Sequence, residues 1–148
     1  VQEELGLKDA KMVGYDLNPD AVVAVDVTHA TDNPDVEKIA SSPVTLGDGP
    51  VVARGSANHP KLVSLVREAA ARAGIDDQLQ ATGSNTGTDA DAFFTSRGGI
   101  PSLNLGLPNR YMHTPVEVID TTDLVAAADL LAATVAETPD AVPFETTV

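Results

Sequence analysis

The chain has 148 residues, with 22 acidic against 9 basic side chains and a formal net charge of −13. That length fits one domain with one sizeable core, and with no Trp, two Tyr and three Phe the core has to be aliphatic and tightly packed. The acidic balance disfavours nucleic acid and anionic membranes, which need basic patches; the lack of Cys rules out disulfides and thiolate metal sites; and no segment approaches the roughly 18 to 20 apolar residues of a membrane span.

The charge is spread between apolar stretches instead of being concentrated in an acidic tail. A solvated acidic shell over an Ala/Val core, with only four Lys, is the pattern of a protein from a high-salt cytoplasm, where salt screens self-repulsion. An ordinary acidic protein is the alternative. No signal peptide is visible, so the cytoplasm is the default location.

Taken in chain order, Val1-Gln2-Glu3-Glu4-Leu5-Gly6-Leu7 sets two adjacent carboxylates ahead of a glycine turn. Residues 21–28 (AVVAVDVT) are a continuous apolar run broken by one charge, which predicts a strand buried on both faces of a largely parallel sheet. Asp32 and Asp35 read as loop residues beside Pro34. A second strand is expected over residues 51–54, after the Gly47-Asp48-Gly49-Pro50 turn. Helical spacing of Leu62, Leu65, Val66, Ala69 and Ala70 predicts a helix over residues 60–73, with Asn58 as N-cap, Pro60 in the first turn and Gly74 as terminator.

Residues 79–82 suggest a short strand, and 83–87 a small-polar loop. Thr88 can cap a helix reaching about Arg97, closed by Gly98-Gly99. Residues 102–107 form the next expected strand, ended by Pro108-Asn109. After a loop through His113, residues 116–119 lead into a helix over 121–136, with Leu124, Ala127, Ala128, Leu131 and Val135 on one face. Residues 138–148 form a tail with little pattern. The alternation predicts an α/β protein, a three-layer α/β/α arrangement with a largely parallel or mixed sheet. In such sheets ligands gather beyond the carboxyl ends of strands, which is where Glu3-Glu4, Asp26, the 83–89 loop and the 109–113 loop are expected.

The chemistry-bearing residues each have an ordinary reading beside the functional one. Glu-Glu pairs are mostly solvated, yet Glu3 and Glu4 can divide the work of a hydrolytic metal site, one carboxylate holding the ion and the other taking a proton from water. Asp26 places a charge inside an apolar strand, where an unpaired carboxylate is costly and calls for a metal, an Arg or a helix cap. Of the three His, His113 sits in a loop after a strand and suits an imidazole ligand. His59 suits a helix start, and His29 a neighbouring wall. Thr88 and Asp89 read first as helix capping and second as a wall of a substrate cleft. Two Glu, an Asp and a His are the donor and base types of a dinuclear metal site.

Together, VQEELGL, AVDVTHATD, HPKLVSLV, TGTDADAF and GIPSLNLGLPNRYMHTPVEVID resemble the tetrahedral, glutamyl-type dinuclear metallo-aminopeptidases, whose members often carry the names endoglucanase or cellulase. The likeness runs over residues 1–137 and implies the C-terminal part of a zinc-peptidase-like catalytic domain, with 138–148 as a tail. It implies Glu3 as general base, Glu4 and His113 on one metal, Asp26 on the other, and substrate contacts from Thr88, Asp89, Arg110 and Tyr111. It also implies two divalent ions, zinc or cobalt, peptide substrates and a homo-oligomer, a dodecamer in the resembled family. That family further uses an upstream His and a bridging Asp ahead of the Glu pair, so this chain by itself is expected to be inactive. A non-catalytic half-subunit with remnant ligand residues is the alternative. Glycoside hydrolysis fits poorly, because its two carboxylates flank a sugar and aromatic platforms are scarce.

The charge balance has a direct consequence. The melting temperature should rise substantially from dilute buffer to molar potassium chloride as self-repulsion is screened; a flat series in calorimetry would leave ordinary acidity as the explanation.

Overall fold

In the computed structural model, which describes residues 2–34, 36, 42–138 and 144, the elements run α1 (Lys8–Leu17), β1 (Val22–His29), β2 (Val51–Arg54), α2 (Pro60–Ala73), β3 (Gln78–Ala81), α3 (Ala90–Phe93), β4 (Ser102–Asn109) and α4 (Thr121–Glu137). Asp35 and most of the 138–148 tail lie outside the described residues. The four strands form one mixed sheet in the order β1-β4-β2-β3. β1 runs parallel to β4 from Val22↔Ser102 to His29↔Asn109, β2 runs parallel to β3, and β2 meets β4 antiparallel at Val51↔Gly106 and Val52↔Leu105.

Alternation along the strands assigns the two faces. Val52, Leu103 and Leu105 point to one side and pack with Leu62, Val63, Val66, Ala69 and Ala70 of α2 and Ala127 and Leu130 of α4. A smaller cluster on Ala10, Ala92, Phe93 and Ile100, joined by Leu7 and Val22, lies where α1 and α3 meet the other side of the sheet. The result is the expected α/β/α layering with an aliphatic main core. Phe144, the one described residue of the tail beyond Thr138, packs against that core.

Several expectations need correction. α1 had no counterpart in the sequence reading; its exposed Met12, Tyr15 and Leu17 blur the apolar stripe that marks a helix. β1 is an edge of the described sheet, pairing only with β4, and Val25 is 55% exposed, so the strand is not buried on both faces. α2 spans the expected residues, but Val63 replaces Leu65 among its buried positions, and His59 occupies the N-cap place. Asn58 is instead buried, its side-chain oxygen accepting the Asn104 N–H at 2.7 Å. α3 is one short turn of helix, followed by turns up to Gly99.

α4 is rotated from the expected face: Asp123, Ala127, Leu130 and Thr134 are buried, while Leu124 and Val135 are 51% and 76% exposed. Ala, Leu and Val surround this helix on most sides, so periodicity alone does not select a face. A polar requirement does. Asp123 is 1% exposed, and its two carboxylate oxygens accept the N–H groups of Gly47 and Gly49 at 2.8 Å each. The turn it holds needs glycine, since Gly49 has φ +93° and a Cβ there would lie 2.1 Å from the Asp76 carbonyl oxygen.

Removing that carboxylate strands two backbone donors in a buried place. Asp123→Ala should lower stability by about 3 kcal/mol in urea unfolding, and an unchanged midpoint would show that the turn finds other acceptors.

Candidate active site

The in-register parallel pair β1–β4 ends at His29↔Asn109, so the chain leaving β4 passes over the end of β1. That places His113 near the Asp26 end of the edge strand. From the other direction, the turn opening α1 is closed by Gly6 and Leu7 N–H bonds to the Glu3 carbonyl, both 3.0 Å, and Leu7 packs into the small cluster with Val22 of β1. The Glu pair thus sits in a turn leading into a helix and anchored beside β1; any strand ahead of it lies outside the described residues.

Glu3, Glu4, Asp26, Asp89 and His113 converge electrostatically. Burial first, then the charges of Asp26, Glu4 and Asp89, raise the Glu3 pKa, and His113 opposes them. Asp26 is likewise raised, by burial first and further by Asp89 and Glu4. The Val27 N–H donated to its Oδ1 at 2.7 Å and the His113 charge pull the other way. Among the described residues Asp26 meets no arginine and caps no helix; it accepts its neighbour's N–H inside a group of like charges.

The His113 imidazole lies 4.0 Å from a Glu4 carboxylate oxygen, Nε2 to Oε1, and its ring stands edge-on to His29 with centroids 6.4 Å apart. His59 stays apart from this group, at the α2 N-cap with its ring against Phe144 at 5.7 Å. Asp89 joins the group through its charge, and its Oδ1 is buried with no hydrogen-bond partner among the described residues. Thr88 is 4% exposed and bonded within its own loop, to the Thr86 hydroxyl at 2.8 Å and from the Ala90 N–H at 3.3 Å. Arg110 is held by a two-pronged bond to Asp32, at 2.7 and 2.5 Å, which also keeps the Asp32 carboxyl below its usual range. Tyr111 is exposed, with φ +61°.

Two carboxylates that shape the site were not singled out from the sequence, although both lie inside the family motifs TGTDADAF and YMHTPVEV. Asp91 accepts the Thr86 and Gly87 N–H groups, each at 2.9 Å, and so organises the loop leading to Asp89. Glu117 accepts from the Asn109 amide and from the His113 N–H, and those bonds hold its carboxyl below the ordinary range.

Residues 1–130 match the family described as M42 glutamyl aminopeptidase. The chain belongs to that family. The lysyl aminopeptidase of Pyrococcus furiosus is 37% identical over 124 residues, which make up 84% of this chain and 35% of that protein. A solved aminopeptidase from the archaeon Desulfurococcus kamchatkensis matches with a TM-score of 0.84 at 36% identity, over 93% of this chain and 40% of the other. The TET1 peptidase of Pyrococcus horikoshii, which can assemble into a tetrahedron or a large octahedral shell, matches with a TM-score of 0.70 at 30% identity, over 90% of this chain and 38% of the other. The chain therefore spans well under half the length of each of these relatives.

In this M42 chain the donor chemistry fits the divalent ions that the resemblance implies. Carboxylates and imidazoles gather where mutual repulsion is only partly offset, and the buried Asp89 Oδ1 has no partner among the described residues; oxygen and nitrogen donors of this kind suit zinc-like cations. Among the described residues no three His, Cys, Asp or Glu side chains close into a ready-made cage for a metal ion.

The raised carboxyls make the cluster cost stability at neutral pH. Between the ordinary values of 3.8 for Asp26 and 4.5 for Glu3 and their raised folded values, the folded chain holds more protons than the unfolded one. Their contribution to stability therefore falls as pH rises through that window and stays unfavourable above it. Asp26→Asn and Glu3→Gln should each raise the melting temperature of the metal-free chain near neutral pH, with the gain vanishing below the ordinary carboxyl values. Calorimetry across that pH range checks the sign, and a lower melting temperature at neutrality would contradict it.

Proposed function

We propose that the chain is the C-terminal part of the catalytic domain of a metal-dependent aminopeptidase that releases N-terminal residues from peptides, with residues 1–137 in the domain and 138–148 as its tail. The observation that carries this reading is the meeting of Glu3, Glu4, Asp26, Asp89 and His113 beside one end of the β1–β4 pair, in a chain of the M42 family. Glu4 and His113, whose donor atoms lie 4.0 Å apart, would hold one ion, and Asp26 would contribute to the other. Zinc or cobalt, when bound, would supply Lewis-acid activation of the scissile carbonyl and of water. Glu3 accepts the water proton at its carboxylate and returns it to the leaving amine. Its raised pKa suits that exchange, because a base works best with a pKa brought toward the operating pH.

Asp89 and Tyr111 face the peptide in this reading, with Thr88 and Arg110 supporting the loops that carry them. A homo-oligomer is supported by the relative that assembles into closed shells. The acidic surface supports a high-salt cytoplasm as the setting. A second reading, in which this chain is a part that is not catalytic by itself, is favoured by the absence of a three-donor cage among the described residues.

The roles separate by substitution in the intact enzyme. Glu3→Gln should reduce turnover by about 10²–10⁴-fold while metal content is kept, because a base acts from outside the coordination sphere. Glu4→Gln and His113→Ala should empty one shared site, and Asp26→Asn the other. Metal content by mass spectrometry beside the rate on an aminoacyl anilide decides the assignment. Loss of metal in Glu3→Gln with full occupancy in Glu4→Gln would reverse the two roles, and normal rates and occupancy in all four variants would place the site elsewhere.

A further inference from the structure

We propose that Glu117 is the positioning residue of the site, setting the His113 imidazole by clamping the His113 backbone to the buried end of β4. The chain leaves β4 at Asn109 and closes a loop on itself, with Arg110 and Val118 exchanging N–H bonds to each other's carbonyls at 2.9 and 3.1 Å. Inside that loop Tyr111 has φ +61° and His113 φ +64°, left-handed conformations that side-chain-bearing residues avoid and keep only where the surroundings hold them. Glu117 does the holding: its Oε1 accepts the His113 N–H at 2.6 Å and its Oε2 accepts the Asn109 side-chain amide at 3.0 Å.

The anchor at the other end is rigid. Asn109 is 2% exposed and paired in register with His29, whose ring the His113 imidazole meets edge-on. The Arg110–Asp32 pair pins the loop base independently. One carboxylate therefore links a fixed amide on the sheet to the backbone of the residue whose Nε2 must stay near Glu4. Both Glu117 partners are donors as the side chains stand, so the clamp needs acceptors at this position; a methionine of similar length supplies none, whereas a glutamine keeps an oxygen for the His113 N–H and can give its amide to the Asn109 side-chain oxygen, which has no hydrogen-bond partner among the described residues. Glu117 touches the metal donor's backbone and not the reacting atoms, as an orienting group of an outer shell does.

The inference rests on His113 being a metal donor, and the test keeps the two ideas apart. In the metal-free chain, Glu117→Met should leave the melting transition nearly unchanged and lower hydrogen-exchange protection of the His113 amide by about tenfold. In the intact enzyme the same variant should weaken zinc binding by about 10–100-fold. Glu117→Gln can keep both bonds once the Asn109 amide turns over, so it should retain both protection and most of the zinc affinity. Unchanged protection in Glu117→Met, or a loss of zinc affinity in Glu117→Gln as large as in Glu117→Met, would overturn the proposal. If His113→Ala leaves zinc affinity intact, the donor role of His113 fails, while the exchange measurement alone still decides whether Glu117 is the clamp.

Discussion

The parallel, in-register pairing of β1 with β4 is the constraint on which the rest of the site depends. It makes two strands distant in sequence end together at His29 and Asn109, so Asp26 and the His113 loop share one end of the sheet. Every other contribution is arranged around that end. The turn that opens α1 is tied to β1 through Leu7 and Val22, which delivers Glu3 and Glu4, and the Asp91-held loop delivers Asp89. A slip of one residue in this pairing would send Asp26 to the opposite face, because side chains alternate along a strand.

The cluster so assembled works against the fold. Burial and like charge raise the carboxyls of Glu3 and Asp26, which means that the ionised forms are held at a cost in the folded chain. Elsewhere in the molecule carboxylates are placed in the opposite way. Asp32 faces Arg110, Asp120 accepts from Thr122 at the start of α4, and Asp123 holds two backbone N–H groups. Among the described residues, the main influences on Glu3 and Asp26 are burial, neighbouring carboxylates, the Val27 N–H and His113, which supports the proposed reading of this group as a place for a cation from outside.

Sequence and structure agree best where local chemistry decides. α2 ends at Gly74 because glycine takes φ +68° there and its N–H returns to the Ala70 carbonyl. β2 and α4 begin at the expected residues for similarly local reasons, an apolar run after a glycine-rich turn and a side-chain cap. They part where one helix face is chosen among nearly equal ones. In α4 the choice falls to Asp123 and its bonds to Gly47 and Gly49, more than seventy residues away in sequence, and no periodicity in an Ala/Leu/Val helix carries that information.

What the sequence by itself determined is the inventory and its punctuation: an aliphatic core, alternating strands and helices, and the family motifs that single out Glu3, Glu4, Asp26 and His113. Those follow from residue type and short-range spacing, which act within a few residues. Only the tertiary structure decided that β1 lies at an edge of the described sheet, that Arg110 is occupied by Asp32, and that Glu117 joins Asn109 to His113. Strand order and long-range hydrogen bonds depend on which surfaces the packed chain brings together, and a charged side chain reads the same in sequence whether it faces water, an arginine or a strained loop.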